Sequence, residues 1–455
     1  MAKKKELTEE ERLEKALIPE SEWPYELPEG WKWVRLEGLC NEIQYGYTAK
    51  AENNESFPKL LRITDLKKDG VNWSSVPNCN INEENFIKYK IKEGDIFFAR
   101  TGATTGKSYL VRNVPRAVFA SYLIRLQVNR MILNDYLYNF LQSGLYWNQI
   151  SDLSSGIAQP GVNSKKLREI IIPLAPIEKQ QQIVDQIESL FSKLEEAKEK
   201  VESVLESSEN RKSAILHKAF TGELTKKWRE ENGDILASSE NIIDPQDLLD
   251  KDQEPYEIPD SWSWSTLGNM TKVIGGGTPS SKVQEYYEGG TIPWIRPADL
   301  SGYKNVYISR GERNITTLGY EKSSARKLPK DTVLLSSRAP IGYVVIAGNE
   351  LTTNQGFKSF LPRENYMPKY LYWYLKGNKP LLEKNASGTT FLELSASRVG
   401  QIEIPLPTVI EQKQITYALD KIMQYEKQLK DNCLSFLEDI TTIKKSVLSN
   451  IFRGN

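Results

Sequence analysis

Histidine is almost absent from this chain. A single His217 in 455 residues leaves no imidazole set with which to build a His-based metal cluster. It falls in a polar turn of a predicted helix and reads as structural. Cysteine is nearly as scarce. Cys40, Cys79 and Cys433 are far apart and form no CxxC, so neither a disulfide framework nor a zinc site is legible, which fits a reducing cytoplasm. Charge of one sign is missing as well. Sixty Lys and Arg balance sixty Asp and Glu, and a net charge of zero excludes a protein that grips nucleic acid by bulk charge alone. A locally basic face stays open, because the field depends on distribution. No apolar run approaches the roughly 20 residues a membrane helix needs, and the N-terminal MAKKKELTEEERLEKAL lacks the apolar centre of a signal peptide. A cytoplasmic protein with no membrane partner is expected. The 39% hydrophobic content is enough for real cores, and the length suits about two to four domains.

What the chain does contain, it contains twice. LPEGWKWVRLEGL begins at Leu27 and IPDSWSWSTLGNM at Ile258, about 231 residues later. YLYNFL at Tyr136 returns as YLYWYL at Tyr370, EIIIPLAP at Glu169 as QIEIPLP at Gln401, and AILHKAFTGEL at Ala214 as SVLSNIFRGN at Ser446. Solenoid repeats run to about 20–50 residues, so this period means two copies of a whole domain. Within each copy, strand-like runs such as DIFFAR (95–100) and TVLLSSR (332–338) alternate with Gly, Pro and Asn turns, and one short helix is expected at each YLY motif. The predicted fold class is α+β. Residues 1–23 form a charged arm, 24–176 and 255–408 two mixed α/β domains, 177–224 and 409–455 a long helix after each domain, and 225–254 an exposed acidic linker.

The two helices carry a heptad. Ile183, Leu190, Ala197 and Val204 take one position and Ile187, Leu194, Val201 and Ile215 the other, with Ser208 and Arg211 interrupting. The second copy keeps the register with Ile415, Ile422, Leu429, Phe436 and Ile443 beside Leu419, Cys433, Ile440 and Val447, interrupted by Glu426. Steps of three and four place these side chains on one narrow stripe. Each helix would expose its stripe alone, and two in one chain can bury each other. Pairing of the two helices as a coiled coil is expected, the alternative being that each packs on its own domain; antiparallel pairing would give the chain a pseudo-two-fold axis.

No catalytic constellation is duplicated. TGATTGKS (101–108) invites a phosphate-loop reading, but Thr101 stands where GxxxxGK(S/T) requires its first glycine, and the matching SSRAPIGYVV has no lysine. There is no NPPY-like loop for amino methylation and no FxGxG for its cofactor. The loops after the first strands, IQYGYTAK (43–50) and GGGTPS (275–280), place Gly and Thr at one location in both copies and suggest a binding surface. After the strand DIFFAR, Arg100, Thr104, Thr105 and Lys107 can meet phosphates or base edges, and Arg338 follows the strand TVLLSS in the second copy.

These residues together resemble the specificity subunit of type I restriction–modification systems over essentially the full length. LPEGWKWVRL and IPDSWSWSTL open the domains, GGGTPS is followed by IPWIRPADL (292–300), SSG…IPLAP and ASG…IPLP close them, KQQQIV (179–184) and EQKQIT (411–416) open the helices, and AFTGELTKKWRE and IFRGN end them. The resemblance implies two target-recognition domains that read a bipartite sequence in double-stranded DNA, separated by two antiparallel helices. It implies docking of two adenine-methyltransferase (M) subunits and, in the full complex, restriction (R) subunits. S-adenosylmethionine, ATP and Mg would belong to those partners, no cofactor to this chain, and no catalytic or metal residue is expected. The first copy departs in having IQYGYTAK for the GGTP-type loop. The expected reading surface comprises Tyr45, Tyr47, Thr48, Arg62, Arg100, Thr104, Thr105 and Lys107 in the first domain, and Thr278, Ser280, Arg296, Arg338, Asn354 and Gln355 in the second, since Arg pairs with guanine and Asn or Gln with adenine. Inserting four residues after Thr221 is expected to widen the preferred gap by about one base pair. Two rivals remain: a DNA enzyme with its own methyltransferase or nuclease activity, and a scaffold whose domains bind protein or sugar.

Overall fold

In each half of the chain a short tryptophan strand pairs antiparallel with the last strand of the same domain. Lys32–Arg35 lies against Ile171–Leu174, and Ser263–Thr266 against Glu403–Leu406. Trp33 and Trp264 are both about 2% exposed. Each indole N–H finds the carbonyl eight residues earlier, on Tyr25 (3.3 Å) and Tyr256 (3.2 Å), and each ring meets that tyrosine edge-on. A buried indole needs such a partner, so these pairs fix how the chain enters each domain. The structure is a computed structural model that describes residues 7–67, 70–154, 161–237, 244–338, 340–387 and 392–454. It divides into two compact units, residues up to 202 with those from 433 onward, and residues 203–432.

The first unit is built on a four-stranded antiparallel sheet in the order Cys40–Tyr45, Leu123–Val128, Ile96–Ala99, Ser108–Leu110. The second uses five strands, Val273–Gly275, Phe357–Phe360, Val333–Ser336, Val344–Ala347 and Tyr307–Ile308. The strand Ile96–Ala99 is apolar throughout, Val333–Ser336 is apolar up to its final serine, and both are fully buried. One face of each sheet packs on the YLY helix, Asn134–Phe140 or Pro368–Gly377. Tyr136 and Tyr370 are wholly buried, and their hydroxyls donate to the carbonyls of Pro173 (2.6 Å) and Pro405 (2.7 Å). The N-terminal residues form a helix, Glu9–Ala16, closed by a Thr8–Glu11 capping box. Its Ala16 joins the core against Gly38, so this part of the charged arm is docked.

The helices begin at Ile177–Glu206 and Val409–Ile451. Buried amides moor both starts. Gln180 accepts from Leu133 N (2.9 Å) and donates to the carbonyls of Met131 and Ala175, while Gln412 accepts from Met367 N (2.8 Å) and donates to Asn365 and Pro407. The helix ends are moored on the other repeat's domain. In the first unit, Phe452 meets Tyr136 and Phe140 edge-on at 5.2 and 5.4 Å. In the second, Phe220, at the end of the helix Ser208–Phe220, meets Tyr370 and Tyr374 at 5.4 and 5.0 Å. A glycine of left-handed φ follows each, Gly454 (+85°) against Pro28 and Gly222 (+80°) against Pro259; a Cβ there would lie 2.1 or 2.5 Å from the proline ring. Only glycine satisfies both the dihedral and the approach.

Along the stripe, Ile183, Ile187, Ile415, Leu419, Cys433 and Ile440 are buried. Leu190, Leu194, Ala197, Val201, Val204, Ile215, Ile422, Phe436, Ile443 and Val447 are half-buried. In the first unit Glu195 pairs with Lys444 (3.3 Å). In the second, the two expected interruptions meet: Arg211 grips Glu426 with two bonds of 3.1 and 3.0 Å. Arg211 also donates to Val204 O and Ser207 Oγ, where the first helix breaks between Glu206 and Ser208. Leu429 departs from the expected stripe at 40% exposure, because a polar layer with a helix break replaces apolar cover at this level. The acidic stretch expected to be an exposed linker is partly docked. It holds the short helices Lys226–Glu231 and Gly233–Ala237, and Thr225 (2.8 Å) and Arg229 both bond the buried Glu411, which also accepts from the Trp262 indole (2.9 Å). A fully buried carboxylate needs these donors. Residues 238–243 of that stretch lie outside the described residues.

Candidate nucleic-acid interface

Strand register gathers the candidate residues at one end of each sheet. In the first domain Cys40–Tyr45 and Ile96–Ala99 both flank Leu123–Val128, which places Tyr45, Arg100 and the turn 120–122 together. Gly46 N bonds Leu123 O (3.2 Å), Tyr47 N bonds Phe119 O (2.8 Å) and Arg100 N bonds Tyr122 O (3.3 Å). A Cβ on Gly46 would lie 2.2 Å from Ala120 O, so the loop can cross here only as glycine. The Arg100 guanidinium stacks on the Tyr45 ring at 4.8 Å, and Tyr45 Oη accepts from Ser164 N (2.9 Å). Burial raises the pKa of Tyr45, but the Ser164 hydrogen bond and the charges of Arg100 and Arg168 outweigh it and hold the phenol below its usual value. Tyr47 rests on Tyr89 at 5.3 Å, and Thr48 is exposed. The Ala120 N bond to Leu61 O (2.9 Å) brings Arg62, the next residue, alongside.

The second domain repeats this backbone frame with other side chains. Gly277 N bonds Thr353 O (2.9 Å), Asn354 N bonds Ile295 O (3.0 Å) and Ser337 N bonds Gly356 O (2.7 Å). Thr278 thereby occupies the place of Thr48, and its hydroxyl donates to the side-chain Oε1 of Gln355. The Asn354 side-chain Oδ1 accepts from Gly356 N (3.0 Å), and Ser280 is exposed beyond. The same bonds correct one expected correspondence. Arg100 aligns with Ser337, Tyr122 with Gly356, and Arg338 with Thr101, because Val162 N bonds Arg100 O as Leu394 N bonds Ser337 O.

Arg62 and Arg296 share a clamp unforeseen in the sequence. In R-x-x-D turns starting at 62 and 296, the aspartate accepts from the arginine's backbone N and from its guanidinium: Asp65 at 2.9 and 2.8 Å, Asp299 at 2.7 and 3.1 Å. Arg296 also pairs with Glu312 (2.6 Å). Both guanidiniums are therefore pinned, and the repeat of Asp three residues on was the signal available. Two more residues were missed: Tyr122, 60% exposed in the first domain's turn, and Glu393, which pairs with Arg338 at 3.1 Å. The 101–108 segment is no phosphate loop. After the turn Gly102–Thr104, in which Thr105 Oγ1 bonds Gly102 O (2.8 Å), the chain continues as the strand Ser108–Leu110 and offers no helix N-terminus. Thr104 and Lys107 line a cleft of about 760 Å³ with Trp73 and Trp147. Among the described residues no cluster of His, Cys, Asp or Glu could hold a metal ion, and no helix is long and apolar enough to cross a membrane.

The architecture is that of solved type I subunits. The HsdS subunit from Thermoanaerobacter tengcongensis superposes with a TM-score of 0.67 at 21% identity, covering 95% of this chain and 99% of that one. A chain from a study of complex assembly and conformational transition of the type I R-M system superposes with a TM-score of 0.60 at 22% identity, over 95% and 100%. The type I restriction modification DNA specificity domain matches this sequence twice, over residues 28–205 and 259–433, and the chain belongs to that family. The MjaIX specificity subunit of Methanocaldococcus jannaschii is 44% identical over 183 residues, 39% of this chain and 42% of that protein. The putative MjaX specificity subunit of the same organism is 24% identical over 94% of both, and the EcoKI specificity subunit of Escherichia coli is 26% identical over 46% of this chain and 47% of its own length. The MjaIX and EcoKI subunits are therefore matched over less than half of their length.

Proposed function

We propose that this chain is the sequence-reading, non-catalytic subunit of a type I restriction–modification enzyme, acting in the cytoplasm on a bipartite double-stranded DNA target. The observation that carries the reading is one loop frame present in both domains with different side chains on it. A shared frame suits a common DNA geometry, and divergent side chains suit two different half-sites. Arg100 beside Tyr45 and Tyr47 would serve one half-site, and Arg338 with Thr278 and Gln355 the other. Arg62 and Arg296, pinned alike in both domains, suit contacts common to both half-sites. Zero net charge fits a subunit whose partners supply much of the phosphate neutralisation.

The helices we assign to spacing and docking. The Glu195–Lys444 pair in the first unit and the Arg211–Glu426 pair in the second each join one helix to the other, which supports the coiled coil, and its antiparallel sense is part of the proposal. Two methyltransferase subunits, and restriction subunits in the full complex, would dock on this chain and bring S-adenosylmethionine, ATP and Mg to the chemistry. The deciding experiment co-expresses the chain with its methyltransferase partner and scores methylation across half-site variants. Arg100→Ala should relax one half-site and Arg338→Ala the other, each by about tenfold at a base pair. Unchanged discrimination in both variants sinks the base-reading assignment.

A further inference from the structure

The second domain holds a charged group with no counterpart in the first. Lys358 lies in the strand Phe357–Phe360 and is only 7% exposed, a position where lysine is costly. Its ammonium donates to Ser337 Oγ (3.2 Å) and stands 3.7 Å from one oxygen of Glu393. The other Glu393 oxygen takes Arg338 Nη2 at 3.1 Å. Burial draws the Lys358 pKa below the ordinary lysine value while Glu393 pulls it back up. The Glu393 backbone is fixed by an exchange of bonds with Ser387 (2.9 and 3.0 Å), and the next residue bonds Ser337 O (2.8 Å). Strand register gives the first-domain equivalents as Ile124 for Lys358, Thr101 for Arg338 and Gly161 for Glu393. The three charges are thus present together in one domain and absent together from the other. A buried cation that only filled space would be matched more cheaply by the isoleucine found there.

We propose that Lys358 and Glu393 are positioning residues that hold the Arg338 guanidinium in one orientation, so that Glu393 sets the specificity of the second domain toward a single base pair without needing to touch it. This rests on the reading of Arg338 as a base contact. Glu393 takes Nη2 of the guanidinium while the Arg338 side chain stays 47% exposed, which leaves the group accessible for a bidentate guanine contact. Lys358 keeps the carboxylate from turning toward the DNA.

The test uses the chain in complex with its methyltransferase partner and measures methylation rates on a panel of half-site variants, with thermal unfolding in parallel. Glu393→Gln and Lys358→Met should each lower discrimination at the Arg338-dependent base pair by about tenfold, leaving the other half-site as it was. Lys358→Met should also keep or raise the unfolding temperature, since an apolar side chain of similar volume replaces a buried charge. If Arg338→Ala relaxes that base pair while both other variants keep full discrimination, the positioning role is wrong. If they slow methylation of every site equally and unfold earlier, their role is packing alone. If Arg338→Ala itself changes nothing, the base contact fails and takes this proposal with it.

Discussion

At the scale of single residues, the side chains that matter most are buried amides and carboxylates rather than exposed cations. Gln180 and Gln412 each satisfy a backbone N–H and two carbonyls at the start of a helix. Replacing either by Leu strands these groups and should cost about 3 kcal/mol or more, measurable by urea denaturation. Glu393 makes a prediction in pH. The hydrogen bond and charge of Arg338, with Lys358 behind it, hold its carboxyl below the 4.5 of a free glutamate. A carboxyl depressed on folding stabilises above its unfolded pKa and loses that contribution as pH falls through the folded value. Carboxyl NMR should therefore find the Glu393 midpoint below that of a free glutamate, and Arg338→Ala should move it upward. Little of this was legible beforehand. The glutamines stand inside the recognised KQQQIV and EQKQIT motifs, but their roles depend on loops some 45 positions earlier. Arg338 was assigned by its place after a strand, and only the hydrogen bonds revealed the shift by one residue against Arg100.

At the scale of elements, the heptad coincides with burial at Ile183, Ile187, Ile415, Leu419, Cys433 and Ile440 and departs from it at Leu429, since periodicity is local. It did not foretell the docking of each helix end on the opposite repeat's YLY helix, a contact between residues at least 150 positions apart in the second unit and more than 300 apart in the first. The aromatic tips are the test. Phe220→Ala and Phe452→Ala should each destabilise by about 3–5 kcal/mol, and each should expose only its own unit to limited proteolysis. This anchor also revises where the spacer can be lengthened. An insertion after Thr221 falls beyond Phe220 and would instead pull Gly222 off Pro259. Four residues placed after Glu206, at the existing break, lengthen the helix ahead of its anchor by about 6 Å. Genome-wide mapping of methylated adenines should then show the gap widened by about one base pair, and an unchanged gap would separate the helices from spacing.

At the scale of the whole molecule, the repeat offset of about 231 residues was the most legible feature, and it carried the α+β class, the two domains and the family. Less legible was how differently the copies are finished. Glu411, clasped by Thr225, Arg229 and Trp262, stands where the first copy has the exposed Lys179, so the second domain has a polar clasp that the first lacks. Glu411→Gln should lower the stability of the second unit by about 3 kcal/mol, read by chemical denaturation, and leave the first unchanged. The docking of Phe452 also has a meaning in time. Chains are made from the N-terminus and domains usually close in that order, yet the aromatic pocket of Tyr136 and Phe140 waits for a residue synthesised more than 300 positions later. Of the two domains, the one made earlier is therefore closed only after the other has been made, and a chain stalled short of residue 452 leaves the Tyr136 and Phe140 rings without their Phe452 cover.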